Sequence, residues 1–127
     1  MATWQQVKSY IYANYNVSKD SGEMITLLFD MGNGRSQLVF VGLLDIGEYS
    51  SIRLSSPFAQ WSNVSAERAL RATESTGVGI CSIGDYLATT HSQLLATVDE
   101  AEIDWPLAYV TSTADKLEQQ LGQGDAF

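Results

Sequence analysis

The chain has 127 residues, 45% hydrophobic and 17% charged, with 15 acidic against 7 basic side chains and a formal charge of -8. That length suits one domain with one substantial core, and the acidic excess repels phosphate backbones and anionic lipid heads, which argues against nucleic acid and membrane surfaces as partners. The charged fraction falls below the roughly 25% of ordinary soluble domains, so part of the surface is neutral or mildly apolar and has room for a protein partner.

Thr3 and Gln6 have the spacing of a capping box, and Trp4, Val7, Tyr10 and Ile11 then share one face, which predicts a helix to about Asn14. "YNVSKD" predicts a short strand and "SGE" a turn. Met24 to Met31 is a clearer strand, with Ile25, Leu27 and Phe29 on one side. "GNGR" follows, between two strand-like segments. A dinucleotide fingerprint would need its third glycine where Gln37 stands and a helix after it, and a P-loop would need Gly-Lys-Ser/Thr. Both fail, while Asn33-Gly34 is a favoured pair for a tight hairpin turn.

Arg35 to Leu44 predicts a strand whose centre, "LVFV", is apolar on both faces and so belongs inside the sheet. "DIGEYS" is expected to be a loop. "SSIRLSSPF" alternates Ile52 and Leu54 against polar residues and predicts a strand ending near Pro57.

Asn63 or Ser65 can cap a second helix carrying Ala66, Ala69, Leu70 and Ala72, with Gly77 at its C-terminal cap. "VGICSIGDYLATTHS" predicts a hairpin with strands 78–83 and 86–91, Gly84-Asp85 at the bend, and Val78, Ile80, Ile83 and Leu87 available to the core. In the last 25 or so residues Ile103, Leu107, Val110, Ala114, Leu117 and Leu121 recur at helical spacing along one face. Such a stripe normally faces the protein's own core, and the alternative is a subunit or client interface. Pro106 leaves two arrangements open, a helix capped by Asp104 or a longer helix kinked there. The tail from about residue 122 is expected to be loosely ordered.

Candidate chemistry is sparse. Cys81, Asp85 and His91 lie close in sequence and could suggest a nucleophile, an acid and a base, but the hairpin puts Cys81 and His91 at different distances from its bend. A buried thiol and an edge histidine is the plainer expectation. With one cysteine and one histidine, ligands for a transition metal are lacking. The run Asp99, Glu100, Glu102, Asp104 lacks the ligands and glycine of a calcium loop and suits a helix start. No cofactor is expected. Trp61 and Trp105, beside loops, are the interface candidates, because aromatics are enriched at interfaces.

The N-terminus has neither the charged start nor the apolar core of a secretory signal, and the longest apolar stretch, Leu38 to Leu44, is far short of a membrane span. The two glycosylation sequons, at Asn16 and Asn63, are therefore attributed to chance. A lone cysteine makes no intrachain disulfide. A cytoplasmic protein is expected.

Taken together, "GRSQLVFV", "SPF", "GDYLATTHSQLL" and "ADKLEQQLGQGDAF" resemble the YbjN-like family of small bacterial proteins over nearly the whole chain, and the element order resembles the type III secretion chaperone fold. The resemblance implies an α+β fold, an antiparallel sheet packed against helices in the order α-βββ(β)-α-ββ-α, without catalytic apparatus or cofactor. It also implies a protein-binding or regulatory role, and chaperones of this fold are acidic homodimers that hold an unfolded stretch of client. No catalytic role transfers to Arg35, Asp115 or Glu118, which are expected to pair structurally. The expected function is thus a noncatalytic, chaperone-like or regulatory module, and the alternative is a small-ligand-binding protein or small enzyme with a helix–sheet pocket near Cys81 and His91.

Overall fold

The computed structural model describes residues 3–122. The expected loose tail lies, beyond Gly122, outside the described residues. The elements are α1 (Trp4–Asn14), β1 (Val17–Asp20), β2 (Met24–Gly32), β3 (Arg35–Ile46), β4 (Tyr49–Gln60), α2 (Ala66–Ala72), β5 (Gly79–Ile83), β6 (Tyr86–Leu94), a 3-10 turn (Leu95–Thr97) and α3 (Ala101–Gln120). This is the expected α+β order. The strands form one antiparallel sheet in the order β1-β2-β3-β4-β6-β5.

The capping box at Thr3 is formed: its Oγ1 accepts from the Gln6 N–H and its own N–H donates to Gln6 Oε1. Val7 and Ile11 then sit with Ile103, Leu107 and Val110 of α3 over Ile25, Leu27, Val39, Val41, Ile52 and Leu54 of the sheet. The second half of the α3 stripe, Ala114, Leu117 and Leu121, joins Ala69 of α2 over Phe58 and Leu87. All six stripe positions are therefore core, and the three helices cover the same face of the sheet.

Several boundaries differ from expectation. "DIGEYS" is no loop: β3 runs to Ile46, β4 starts at Tyr49, and Asp45 pairs with Ser50, because Gly47 at φ +61 supports a two-residue turn. β4 passes through Pro57 to Gln60, with an irregularity between Pro57 and Ala59 in its pairing with β6. The β3–β4 ladder ends earlier, at Phe40 and Ser55, so the missing N–H of Pro57 breaks no bond on that side. Ser65 is the cap of α2, accepting from the Arg68 N–H, but Gly77 is not its terminus. Thr73 ends that helix, and Gly77, at φ +73, lies four residues on in the following turn.

At α3, Asp99 and Glu102 form a reciprocal box, Asp99 Oδ1 accepting from the Glu102 N–H at 2.8 Å and Glu102 Oε1 from the Asp99 N–H at 3.3 Å. The helix begins at Ala101, and Pro106 stands inside it. Asp104 is thus no cap; its carboxylate is used elsewhere.

Candidate functional site

Because every helix among the described residues lies on one side, those residues place no layer on the other face of the six-stranded sheet. Cross-strand register puts Met24, Leu28, Leu38, Phe40, Leu44 and Leu94 on it. Met24, Leu28 and Leu94 are 45%, 39% and 48% exposed, and the other three are half-buried by their neighbours. Ser51, Ser55 and Ala88 sit low between larger side chains and are buried there without any covering element. The same register sets Lys19, Asp30 and Arg53 on this face, the first two towards its β1–β2 side and Arg53 opposite Ser92. The apolar character of "LVFV" on both faces thus has two causes. Val39 and Val41 face the helices, and Leu38 and Phe40 face outward onto this surface.

The set Cys81, Asp85 and His91 does not assemble. Cys81 pairs with Ala88, which fixes its side chain on the uncovered face, whereas His91 pairs with Leu54 and faces α3. Asp85 sits in the bend, where its carbonyl accepts the Trp61 N–H at 2.9 Å. The thiol and the imidazole are on opposite sides of the sheet.

His91 instead joins an aromatic group on the helix side. Its ring meets Trp105 edge-on at 6.5 Å, and Trp105 stacks on Tyr109 at 5.1 Å with an interplanar angle of 8°. These rings, with Gly79 and Thr90, line a hollow of about 200 Å³. His91 Nε2 is buried without a hydrogen-bond partner. Trp105 is 62% exposed and Trp61 46% exposed. Both interface candidates are thus surface residues, but neither is on the open sheet face: Trp105 is in the helix layer, and Trp61 is in the turn after β4.

Arg35 does bring two expected partners together. Its Nε lies 3.0 Å from Asp115 Oδ1 and its Nη2 lies 3.2 Å from Glu118 Oε1. Beside it, Gln37 is wholly buried, and its Nε2 donates to Ser56 Oγ at 2.9 Å and to the Pro57 carbonyl at 2.6 Å. Ser56 Oγ donates in turn to the Leu38 carbonyl at 2.6 Å. Side chains bridge β3 and β4 where the ladder has ended. The sequence reading missed this, although a glutamine inside an apolar strand was a signal for it.

Asp104 accepts from two phenols, Tyr10 at 2.6 Å and Tyr15 at 2.5 Å, and so ties α1 and the start of the sheet to α3. The bond to Asp104 is the main cause pushing Tyr10 up to about 12. Burial, then its own bond to Asp104, pushes Tyr15 up as well. Among the described residues no group of three or more histidine, cysteine or acidic side chains is arranged to hold a metal ion. No helix there is long and apolar enough to cross a membrane.

No protein-family model matches the chain, and no curated protein matches it significantly.

Proposed function

We propose that the chain is a noncatalytic protein-binding module, chaperone-like or regulatory, that acts in the cytoplasm as a homodimer and holds an extended segment of a client protein on the open face of its sheet. The observation that carries this is the uncovered face itself, with Met24, Leu28 and Leu94 exposed on a regular sheet. Contiguous apolar surface of this kind is unusual on a monomer and marks interaction sites. The charge of -8 favours an uncharged or basic client. The similarity of the quoted motifs to the YbjN-like family, and of the element order to secretion chaperones, points the same way.

The test is affinity capture from the protein's own cell extract with the tagged chain and with a Leu28→Asp/Leu94→Asp variant, both positions being exposed. A protein recovered in stoichiometric amount by the native chain and lost by the variant supports the proposal. Equal recovery by both, or no protein recovered by either, sinks it.

A second reading, a small-ligand site, has the hollow at His91 and the buried Nε2 in its favour. Cys81 takes no part in it. A bound metabolite carried through purification by the native chain and lost in His91→Phe would move this reading to the front.

A further inference from the structure

The two edges of the sheet differ in how they meet solvent. β1 carries Lys19 and Asp20 and has an irregular register between Val17 and Lys19, features that discourage another strand from pairing. Its end is also fastened to α1 by Lys8 Nζ to Asp20 at 2.9 Å and by the Trp4 Nε1–H to the Gly22 carbonyl at 2.8 Å. β5, "GICSI", has no charge and no proline, and its five residues pair with β6 without a shift. Of the two edges it is the one that the described residues leave unguarded.

We propose that two copies of the chain pair antiparallel through their β5 edges, about a two-fold axis at Cys81. The bend at Gly84-Asp85 is a two-residue turn with Ile83 paired to Tyr86, and ladder hydrogen bonds alternate from there. Ile83, Cys81 and Gly79 direct their backbone groups inward to β6. Ile80 and Ser82 direct theirs outward. With the axis at Cys81, Ile80 of one copy meets Ser82 of the other, and four backbone bonds form across the axis.

The side chains are self-complementary in the same register. Ile80 lies opposite Ser82 and Ile83 opposite Gly79, so each large residue meets a small one, and Cys81 lies opposite itself. A chain of charge -8 repels its own copy. The uncharged β5 edge allows contact without setting like charges face to face, and this self-complementarity favours a second copy over a foreign strand. A two-fold axis perpendicular to the sheet keeps both open faces on one side, so the two apolar surfaces join into one. The value of that joined surface rests on the binding-module reading; the pairing geometry does not.

The experiment uses the full chain. Light scattering gives the mass, amide hydrogen exchange is read at Ile80 and Ser82, and mild oxidation with copper–phenanthroline tests Cys81. In an antiparallel pair without mutual hydrogen bonds the Cα atoms lie about 4.5 Å apart, within the range of roughly 4.4–6.8 Å that a disulfide spans. Two thiols then give two protons and two electrons to the added oxidant and form one S–S bond.

The expected result is a dimer mass, a Cys81–Cys81 crosslink, and Ile80 and Ser82 amides whose protection falls on dilution. Cys81→Asp, which sets two carboxylates together, should be monomeric, and Cys81→Ser dimeric. A native monomer at high concentration overturns the proposal, as does a dimer that forms no crosslink or survives Cys81→Asp with the two amides unprotected. A monomer that still captures its client by the open face leaves client binding standing while the homodimer and this pairing fall. A β5 dimer that captures nothing does the reverse.

Discussion

Arg35, the first residue of β3, and Glu118, near the end of α3, meet at 3.2 Å across 83 residues of chain, with the Glu118 side chain wholly buried. Asp115 takes Nε of the same guanidinium at 3.0 Å. Removing the arginine takes a positive partner away from a buried carboxylate, a loss of about 3 kcal/mol. Arg35→Ala should therefore lower the Tm by about 10 °C. Glu118→Gln should cost less, because no buried charge is left behind. Thermal melts followed by circular dichroism decide it, and an unchanged Tm for Arg35→Ala would remove the pair from the account of stability.

The Asp104 clamp gives the fold an alkaline limit. Tyr10 is raised from its ordinary 10.0 to about 12, chiefly by its bond to Asp104, and Tyr15 is raised too, chiefly by burial. A group whose folded pKa is raised contributes stability that is full below its unfolded value and is lost as pH rises through the folded one. Urea unfolding should thus show a stability plateau up to pH 10.0 and a fall towards pH 12. Asp104→Asn should be less stable on the plateau and fall less steeply above it. Parallel curves for the two proteins would contradict the assignment.

At the other end of the pH scale Asp20 sets an acid response. Lys8, then the Gly22 N–H and the Tyr12 hydroxyl, hold its carboxyl down at about 2 against an ordinary 3.8. A depressed carboxyl contributes stability that is present above 3.8 and is lost as pH falls through about 2. The difference in Tm between the native chain and Asp20→Asn should therefore be constant near neutrality and shrink over that window. Lys8→Met should narrow the window from the acid side.

Much of this architecture is legible in the sequence where one local rule acts alone. The capping box at Thr3, the bend at Gly84-Asp85 and the six-residue stripe of α3 all stand where their patterns put them, because caps, turns and helical periodicity are properties of a few adjacent residues. The errors fall where tertiary pairing overrides a local signal. Glycine and acidic residues in "DIGEYS" suggest a loop, yet the pairing of β3 with β4 carries regular strand through most of it. Pro57 suggests a strand end, but the side chains of Gln37 and Ser56 supply the missing connections. Asp104 has the composition of a helix cap and is occupied by two tyrosines that are distant in sequence. The open face was hidden for a related reason. An apolar strand centre reads the same whether its second face meets a helix or meets solvent, and only the placement of all three helices on one side distinguishes the two.

The Asn33-Gly34 bend allows a direct test of turn against phosphate cradle. Asn33 has φ +54 and Gly34 has φ +76, the two positive values that a type I′ hairpin turn requires, and Gly32 pairs with Arg35 around them. A Cβ at Gly34 would meet nothing within 4 Å, so Gly34→Ala carries only the backbone cost of the left-handed conformation, about 1 kcal/mol. Asn33→Gly should be nearly neutral, since glycine adopts the same conformation freely. The two substitutions thus separate backbone conformation from side-chain chemistry at adjacent positions. A turn responds to the first and is indifferent to inorganic phosphate, so the Tm of the native chain should not move when phosphate replaces chloride at matched ionic strength. Binding to the folded state would raise it, and a rise abolished by Gly34→Ala would mean that the N–H groups of this bend hold an anion after all.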